Sequence, residues 1–297
     1  MAKTFEIFID STGELNRELR AKYDVDYCPM GIAVGDAEEV PASLDYDAGY
    51  SLKDYYDALR AGKRLFTSQV KDHVFEEKFT AALEKGLDVL YISCSSALSA
   101  SVKAAEKVAE GLMAKFPGRK IVCFDSLIAC YGQADMAIRA SKMREEGKSL
   151  DEIVSWLTEN RLRFNQFCTV ETLSYLKAAG RVKATAAFFG NLMGVKPIII
   201  SDVKGNNNAF KKVKGRKASI AEIVNLAKEA ADDIEHQTVY IGHADDLATA
   251  EYVKAELLKV CNPGEIFIGA FGPIIGATTG PGTVVIYVFG KEVTIGA

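Results

Sequence analysis

The sequence predicts an α/β protein of two domains, in which an N-terminal parallel sheet flanked by helices precedes a C-terminal α+β domain. Near-continuous apolar runs at residues 87–93 and 120–124 are typical of strands buried on both faces of a parallel sheet. Each run ends in a polar turn that leads into a helical pattern, and this order occurs at least three times before about residue 160. Beyond it, the turn signal at residues 205–208 separates two runs that we expect to pair antiparallel.

The individual elements follow from apolar periodicity and turn residues. The first domain is expected over residues 1–160, with strands at residues 5–9, 27–34, 87–93 and 120–124 and helices at 52–59, 74–83, 99–115 and 130–146. The second domain is expected over residues 161–297, with strands at residues 167–172, 196–203, 209–213, 238–242, 265–269 and 283–289 and helices at 220–233 and 248–260. Because no Pro-rich or Ser-rich linker separates them, the boundary is placed only near residue 160.

Composition excludes several classes of function. With 297 residues and 48% hydrophobic content, the chain can bury a sizeable core. The net charge is −4, and the basic runs at residues 63–64 and 211–217 are too short to indicate nucleic-acid binding. No secretory signal and no transmembrane stretch is evident, so a cytoplasmic protein with at most transient membrane contact is expected. The six cysteines form no CxxC pair and the three histidines lack ligand spacing, so we expect no metal and no cofactor.

Hydroxyl side chains cluster where the predicted parallel strands end. Asp10-Ser11-Thr12, residues 93–96 and Asp125-Ser126 each follow a strand, and Thr67-Ser68-Gln69 is expected to open the helix through Phe75. Ligands of open parallel sheets bind beyond these strand ends, and helix N-termini favour anions. The pattern therefore predicts an anion site, although Ser, Thr and Asp at such junctions also serve as ordinary helix N-caps.

A second notable segment, residues 271–282, is rich in glycine. Gly272, Gly276, Gly280 and Gly282 permit close approach of the backbone to a ligand or to a neighbouring element. The segment matches neither the P-loop nor the dinucleotide-binding GxGxxG pattern. A purely structural turn before the final strand is the alternative explanation.

Taken in order, these motifs resemble the DegV family of bacterial fatty-acid-binding proteins over essentially the whole chain. The motifs that carry the resemblance are Asp10-Ser11-Thr12, Thr67-Ser68-Gln69, Ser95-Ser96-Ala97-Leu98-Ser99, Asp125-Ser126, Thr172-Leu173-Ser174-Tyr175-Leu176-Lys177 with Gly180-Arg181-Val182, Lys196-Pro197-Ile198, and Gly272-Pro273 to Gly280-Pro281-Gly282. Each motif alone is weak, whereas seven in the family's order are specific.

The resemblance implies a protein that binds a long-chain fatty acid and is not itself an enzyme. It places the acyl chain in a tunnel to which the second domain contributes, with the carboxylate near the domain junction. Thr67 and Ser96 would hold the carboxylate, with Ser95 adjacent. A separate fatty acid kinase would then phosphorylate the presented carboxylate for phospholipid synthesis. The ligand-binding residues expected on this basis are Thr67, Ser68, Ser95, Ser96, Gly276 and Thr278.

The acyl tunnel would be lined by apolar residues of the second domain, most of which suit an ordinary core equally well. The candidates are Phe188, Phe189, Leu192, Met193, Ile198, Ile200, Phe267, Ile268, Phe271, Ile274 and Ile275. The chain also departs from the family pattern, since Thr278 stands where the motif GPxxGxHTGPG has histidine and Val70 stands where a proline is usual. Threonine donates one hydrogen bond but carries no charge near neutral pH.

Other functions remain open at the level of sequence. A serine-based lipid hydrolase would need a histidine base near Ser95 or Ser96, and no GxSxG elbow occurs. A phosphotransferase would need an ATP loop, which no segment resembles. A sensor or carrier of another apolar carboxylate would share the predicted site and differ only in its ligand.

Overall fold

The computed structural model describes residues 3–46, 49–185, 188 and 194–296. The chain divides into two compact units, one formed by Met1–Gly49 with Phe66–Arg161 and the other by Tyr50–Leu65 with Leu162–Ala297. Residues 50–65 therefore belong to the second unit, although the sequence analysis counted them with the first. The apolar spacing of residues 52–59 predicts the helix, but the sequence alone does not show which unit's core the helix packs against.

The first unit contains a parallel sheet with helices and a small accessory sheet. Its strands are β1 (Phe5–Asp10), β2 (Val25–Cys28), β3 (Gly31–Val34), β4 (Val40–Pro41), β5 (Leu65–Ser68, which begins at the last residue of the 50–65 segment), β6 (Asp88–Ser93) and β7 (Ile121–Asp125). Its helices are α1 (Arg17–Tyr23), α3 (Asp72–Glu84), α4 (Ser101–Lys115), α5 (Cys130–Glu145) and α6 (Leu150–Asn160). The main sheet has the order β2-β1-β6-β7 and the accessory sheet the order β4-β3-β5.

All pairings in the main sheet are parallel, which confirms the predicted parallel sheet. The central strand β6 is buried on both faces, as its continuous apolar run predicts. Tyr91 of β6 packs against Phe75 and Phe79 of α3, with ring centroids 5.0 and 6.2 Å apart. The expected single strand at residues 27–34 is wrong, because β2 and β3 lie in different sheets. Pro29 lies between them and offers no backbone N–H to a ladder.

The second unit contains a mixed sheet. Its strands are β8 (Phe164–Thr169), β9 (Val195–Ser201), β10 (Asn207–Lys214), β11 (Thr238–His243), β12 (Glu265–Ala270) and β13 (Val284–Phe289). Its helices are α2 (Leu52–Arg60), α7 (Ser174–Ala179), α8 (Arg216–Ala230), α9 (Leu247–Leu258) and α10 (Pro273–Thr279). The order is β10-β9-β8-β13-β11-β12, with β9 and β10 antiparallel as predicted and β11 and β12 parallel.

One face of this sheet forms the core of the second unit together with α8 and α9. Residues from both layers, such as Ile198, Ile223, Val253 and Ile286, are fully buried in one cluster. The observed architecture confirms the predicted α/β fold class. Within the described ranges, no helix combines the length and apolar character that crossing a membrane requires.

Candidate functional site

The polar strand ends of the first unit meet at one edge of the sheet, as the sequence predicted. β1, β6 and β7 are neighbouring parallel strands, and their last residues are Asp10, Ser93 and Asp125. All carboxyl ends of a parallel sheet lie on the same side, where ligands of open α/β sheets bind. The turn that follows β6 carries Ser95 and Ser96, so the predicted hydroxyl motif lies at this edge.

Asp10 fastens the end of β1 to this turn. Its side chain is fully buried, and its Oδ1 accepts hydrogen bonds from the Thr12 amide at 3.0 Å and the Thr12 hydroxyl at 2.5 Å. Its Oδ2 accepts from the Cys94 amide at 2.8 Å and from the Tyr91 hydroxyl at 3.0 Å. Both oxygens are thus used within the protein, so Asp10 builds the site and does not meet a ligand.

The backbone amides of the turn are also used within the protein. The Ser95 amide donates to the carbonyl of Ile128 at 2.8 Å, and the Ser96 amide donates to Asp125 Oδ1 at 3.0 Å. The Ala97 amide donates to the Ser95 hydroxyl at 3.2 Å. The expectation that free helix N-terminal amides hold the anion is therefore wrong for this turn, and α4 begins only at Ser101.

What the turn offers to a ligand is the Ser96 hydroxyl. Ser96 is exposed, and within the described part of the chain its hydroxyl has no hydrogen-bond partner. Ser95, in contrast, is fully buried and accepts the Ala97 amide. The two adjacent serines, both expected to bind ligand, thus differ in role, since Ser95 shapes the turn and Ser96 faces outward.

The Thr67-Ser68 motif forms the end of β5 and does not open a helix, because α3 begins only at Asp72. Thr67 is exposed, and among the described residues its hydroxyl has no partner. Ser68 is half-buried, and its hydrogen bond, together with Lys71, holds the pKa of the Glu39 carboxyl below its ordinary value. Of the two hydroxyls, only that of Thr67 is therefore available to a ligand.

The two hydroxyl motifs adjoin through a buried contact. The Val70 amide, three residues after Thr67, donates to the Ser101 hydroxyl at 3.2 Å. The Ser101 hydroxyl lies 2.9 Å from that of Ser99, in the motif that contains Ser96. Segments about thirty residues apart in sequence are thereby joined in the first unit, whereas a shared role of Thr67 and Ser96 at one carboxylate stays a prediction.

Most of the glycine-rich segment of the second unit forms helix α10 (Pro273–Thr279), and the turn considered as an alternative is confined to Pro281 and Gly282, just before β13. Pro273 occupies the first turn of the helix, a position that proline favours, and Gly272 is the N-cap. Gly276 is buried against Tyr56 of α2, where an added Cβ would lie 2.8 Å from the phenol oxygen. The predicted close backbone approach at Gly276 is thus to a neighbouring helix.

Thr278, at the position where the family motif has histidine, is half-buried in α10. Its hydroxyl donates to the carbonyl of Ile274 at 3.0 Å. Because a hydroxyl has one hydrogen, Thr278 can meet a further group only as an acceptor in this arrangement. A carboxylate oxygen would first have to displace that hydrogen bond.

The tunnel candidates fall into three groups. Ile198, Ile200 and Ile268 pack in or against the cluster of the sheet with α8 and α9, so they are core residues of the second unit. Phe271, Ile274 and Ile275 are buried, Phe267 is half-buried, and Phe188 lies beneath the Lys212 ammonium at 5.3 Å. Phe189, Leu192 and Met193 lie outside the described residues.

Cys94, which directly precedes Ser95 and Ser96, adds no reactive group to this turn. Cys94 is fully buried, and burial raises the pKa of its thiol, which keeps it protonated and unreactive. The described residues contain one compact group of possible metal ligands, Asp233, Glu235 and His236, all exposed in the second unit. Exposed acidic groups of this kind commonly occur without a metal.

Sequence reasoning missed the structural role of Asp10 and Asp125. Both were interpreted as residues of strand–helix junctions, and Asp10 does cap the short 3₁₀ helix at residues 11–13. Their bonds to Cys94 and Ser96 join segments far apart in the chain. The only available signal was their position at the ends of apolar runs.

Comparison with known proteins shows the family and the fold. Residues 4–291 match the family model described as "Uncharacterised protein, DegV family". A DegV domain-containing protein of Clostridium perfringens is 33% identical over 289 residues, which are 97% of this chain and 98% of that protein.

Two solved structures have the same fold. A fatty-acid-binding DegV family protein from Thermus thermophilus is 27% identical, with a TM-score of 0.85 over 97% of this chain and 100% of its own. A DegV lipid binding protein from Thermotoga maritima is 24% identical, with a TM-score of 0.85 over 98% of this chain and 100% of its own. The match to the family model over nearly the full length, and the agreement in fold, lead to one conclusion: this chain belongs to the DegV family.

Proposed function

We propose that this chain binds a long-chain fatty acid and that the hydroxyls of Thr67 and Ser96 hold its carboxylate. The observation that carries the proposal is the outward-facing Ser96 hydroxyl on a turn whose amides are all engaged. A related protein of 27% identity is described as fatty-acid-binding, which supports this class of ligand. Hydrogen bonds to an ionised carboxylate are stronger than those between neutral groups, so a few hydroxyls suffice to orient the head group.

The acyl chain would supply most of the affinity. Burying one methylene contributes about 0.8 kcal/mol, so ~14 methylenes contribute at most about 11 kcal/mol before the ordering of the chain is subtracted. Sub-micromolar binding is consistent with that balance. The hydroxyls contribute less free energy and serve mainly to fix the position of the carboxylate.

We further propose that the protein is a carrier that presents its fatty acid to a separate kinase. The turn that carries Ser95 and Ser96 offers a hydroxyl but no free backbone amide to bind a phosphate. No segment of the sequence resembles an ATP-binding loop either. The expected roles of Gly276 and Thr278 as ligand-binding residues stay predictions, as does a tunnel contributed by the second domain. Carriage of a different apolar carboxylate is the alternative, and identification of the ligand separates the two.

The test is to purify the protein without delipidation, extract it and analyse the extract by mass spectrometry. We expect fatty acids with chains of about 14 to 18 carbons, because such chains provide the burial estimated above. An extract of folded protein that contains no fatty acid would contradict the proposal, and a different carboxylate would favour the alternative.

Variants of the two hydroxyls complete this test. Thr67→Ala and Ser96→Ala are each expected to weaken binding of a fatty acid by about 1.5–3 kcal/mol, the contribution of one hydrogen bond to a charged group. Thr158→Ala is a matched control, because the exposed Thr158 hydroxyl on α6 only donates to the carbonyl of Val154. Unchanged affinity in both site variants would remove Thr67 and Ser96 from the site.

A further inference from the structure

The turn that carries Ser95 and Ser96 is held by the last residue of β7 and by the loop that follows it. Two hydrogen bonds join them, from the Ser96 amide to Asp125 Oδ1 at 3.0 Å and from the Ser95 amide to the Ile128 carbonyl at 2.8 Å. On the other side of the turn, the Cys94 amide donates to Asp10 at 2.8 Å. Carboxylates from the two strands that flank β6 thus hold the turn at both ends.

Asp125 also supports the loop that follows it. The same Oδ1 accepts from the Leu127 amide at 3.1 Å. Leu127 has a φ of 54°, in the left-handed region that bulky residues rarely adopt. Because Leu127 directly precedes Ile128, loss of this acceptor would loosen both hydrogen bonds between the loop and the turn.

The geometry points to Asp125 as a positioning residue for the Ser96 hydroxyl. By accepting the Ser96 amide, Asp125 fixes the backbone from which the exposed hydroxyl projects, and it leaves that hydroxyl as the group presented to a carboxylate. This inference rests on the proposed function, because it concerns how the proposed head-group site is held in shape.

The role depends on one oxygen atom and not on the charge. Both amides reach Oδ1, and within the described residues Oδ2 has no hydrogen-bond partner. Asparagine keeps the Oδ1 acceptor and loses the charge, whereas alanine loses both. Asp125→Asn should therefore retain the site that Asp125→Ala disrupts.

The experiment titrates the delipidated protein with palmitic acid and, separately, with hexadecanol, which has the same chain length but no carboxylate. For Asp125→Ala we expect about tenfold weaker binding of palmitic acid and a change of less than about twofold for hexadecanol. For Asp125→Asn we expect palmitic acid to bind within about twofold of wild type. Thermal unfolding of each variant confirms that it is folded.

Asp88→Ala is the matched control. Asp88 begins β6 at the opposite end of the sheet, and its Oδ1 likewise accepts a backbone amide, that of Lys120 directly before the neighbouring strand β7, at 3.0 Å. We expect this variant to bind both ligands like wild type, because the opposite end of the strand holds no part of the proposed site.

Three results would overturn the inference. The first is that Asp125→Ala binds palmitic acid as wild type does, and the second is that Asp125→Asn binds it as weakly as Asp125→Ala is expected to. The third is that Asp125→Ala loses equal affinity for palmitic acid and hexadecanol, which would indicate a general structural role. Wild-type protein that binds no palmitic acid would overturn the proposed function itself, so the two failures are distinguishable.

Discussion

At the scale of single residues, the buried carboxylate of Asp10 ties the ends of two strands together. It accepts four hydrogen bonds, two on each oxygen. A carboxylate has acceptor capacity for all of them, whereas an amide has one acceptor oxygen and one donor nitrogen. The chemistry of this position therefore demands aspartate and not merely a polar residue.

We accordingly predict that Asp10→Asn lowers the free energy of unfolding by about 1–3 kcal/mol, because its amide nitrogen would face buried donors that then lack an acceptor. Unfolding by urea measures the change. Asp88→Asn is the control, since Asp88 is partly exposed and accepts one backbone amide through an oxygen that asparagine retains. If Asp10→Asn and Asp88→Asn lower the free energy of unfolding by similar amounts, the four hydrogen bonds accepted by Asp10 stabilise the fold no more than the one accepted by Asp88.

The hydroxyl motifs of the site could be predicted because their position follows from local rules. Apolar runs identify buried parallel strands, and such strands end at one edge, which places Asp10, Ser93 and Asp125 together. Which atoms stay free could not be predicted. Ser95 and Ser96 are adjacent residues of the same type, and only the fold makes Ser95 buried and Ser96 exposed.

At the scale of elements, α10 packs closely on α2 through a glycine. The Tyr56 hydroxyl donates to the Phe271 carbonyl at 2.8 Å, and the hydroxyl end of its ring lies against Gly276. A methyl group at position 276 would lie within 3.0 Å of the ring and its oxygen. The ring would have to move and give up the hydrogen bond.

We therefore predict that Gly276→Ala destabilises the protein by about 1–3 kcal/mol, the usual cost of overpacking. Gly111→Ala provides the contrast, because Gly111 lies within α4 and an added Cβ there meets nothing within 4 Å. That variant should gain about 0.5–1 kcal/mol from the better helix propensity of alanine. Urea unfolding of both variants checks the prediction, and stabilisation by both would contradict the packing argument.

The boundaries of elements show where sequence reasoning ends. β8 was predicted at residues 167–172 but spans Phe164–Thr169, so it includes the polar residues Asn165 and Gln166. Both are buried and both are hydrogen-bonded: Asn165 donates to the carbonyls of Arg163 and Lys291, and Gln166 donates to Asn207. Arg163 is two residues from Asn165, but Lys291 and Asn207 are distant in sequence, so no local pattern predicts the bonds to them.

At the scale of the whole molecule, two groups of the second unit make the folded state sensitive to acid. Burial lowers the pKa of His243 below its ordinary value of 6.5, and the Asp246 amide donates to its Nδ1 at 3.1 Å. Hydrogen bonds from Asn206 lower the pKa of the buried Asp202 to about 2, against the opposing effect of burial. His243 is thus held neutral and Asp202 is held ionised.

The two groups act in separate ranges of pH. Above about pH 7.5 His243 is neutral whether the chain is folded or unfolded, because its ordinary pKa is 6.5, so it has no effect on stability there. Below that pH the unfolded chain takes up a proton that the folded chain resists, so stability falls. Asp202 contributes stability above its ordinary pKa of 3.8, and that stability is lost as the pH falls towards about 2.

From these signs we predict that the free energy of unfolding decreases between about pH 7.5 and about pH 5.5, by at most about 1.4 kcal/mol per pH unit from His243. His243→Asn should flatten this slope, because asparagine can accept the Asp246 amide and does not titrate. His236→Asn is the control: Asp233 raises the pKa of the exposed His236, so its loss should not flatten the slope. Urea unfolding at several pH values measures the three slopes, and a His243→Asn slope equal to that of wild type would assign the acid sensitivity to other groups.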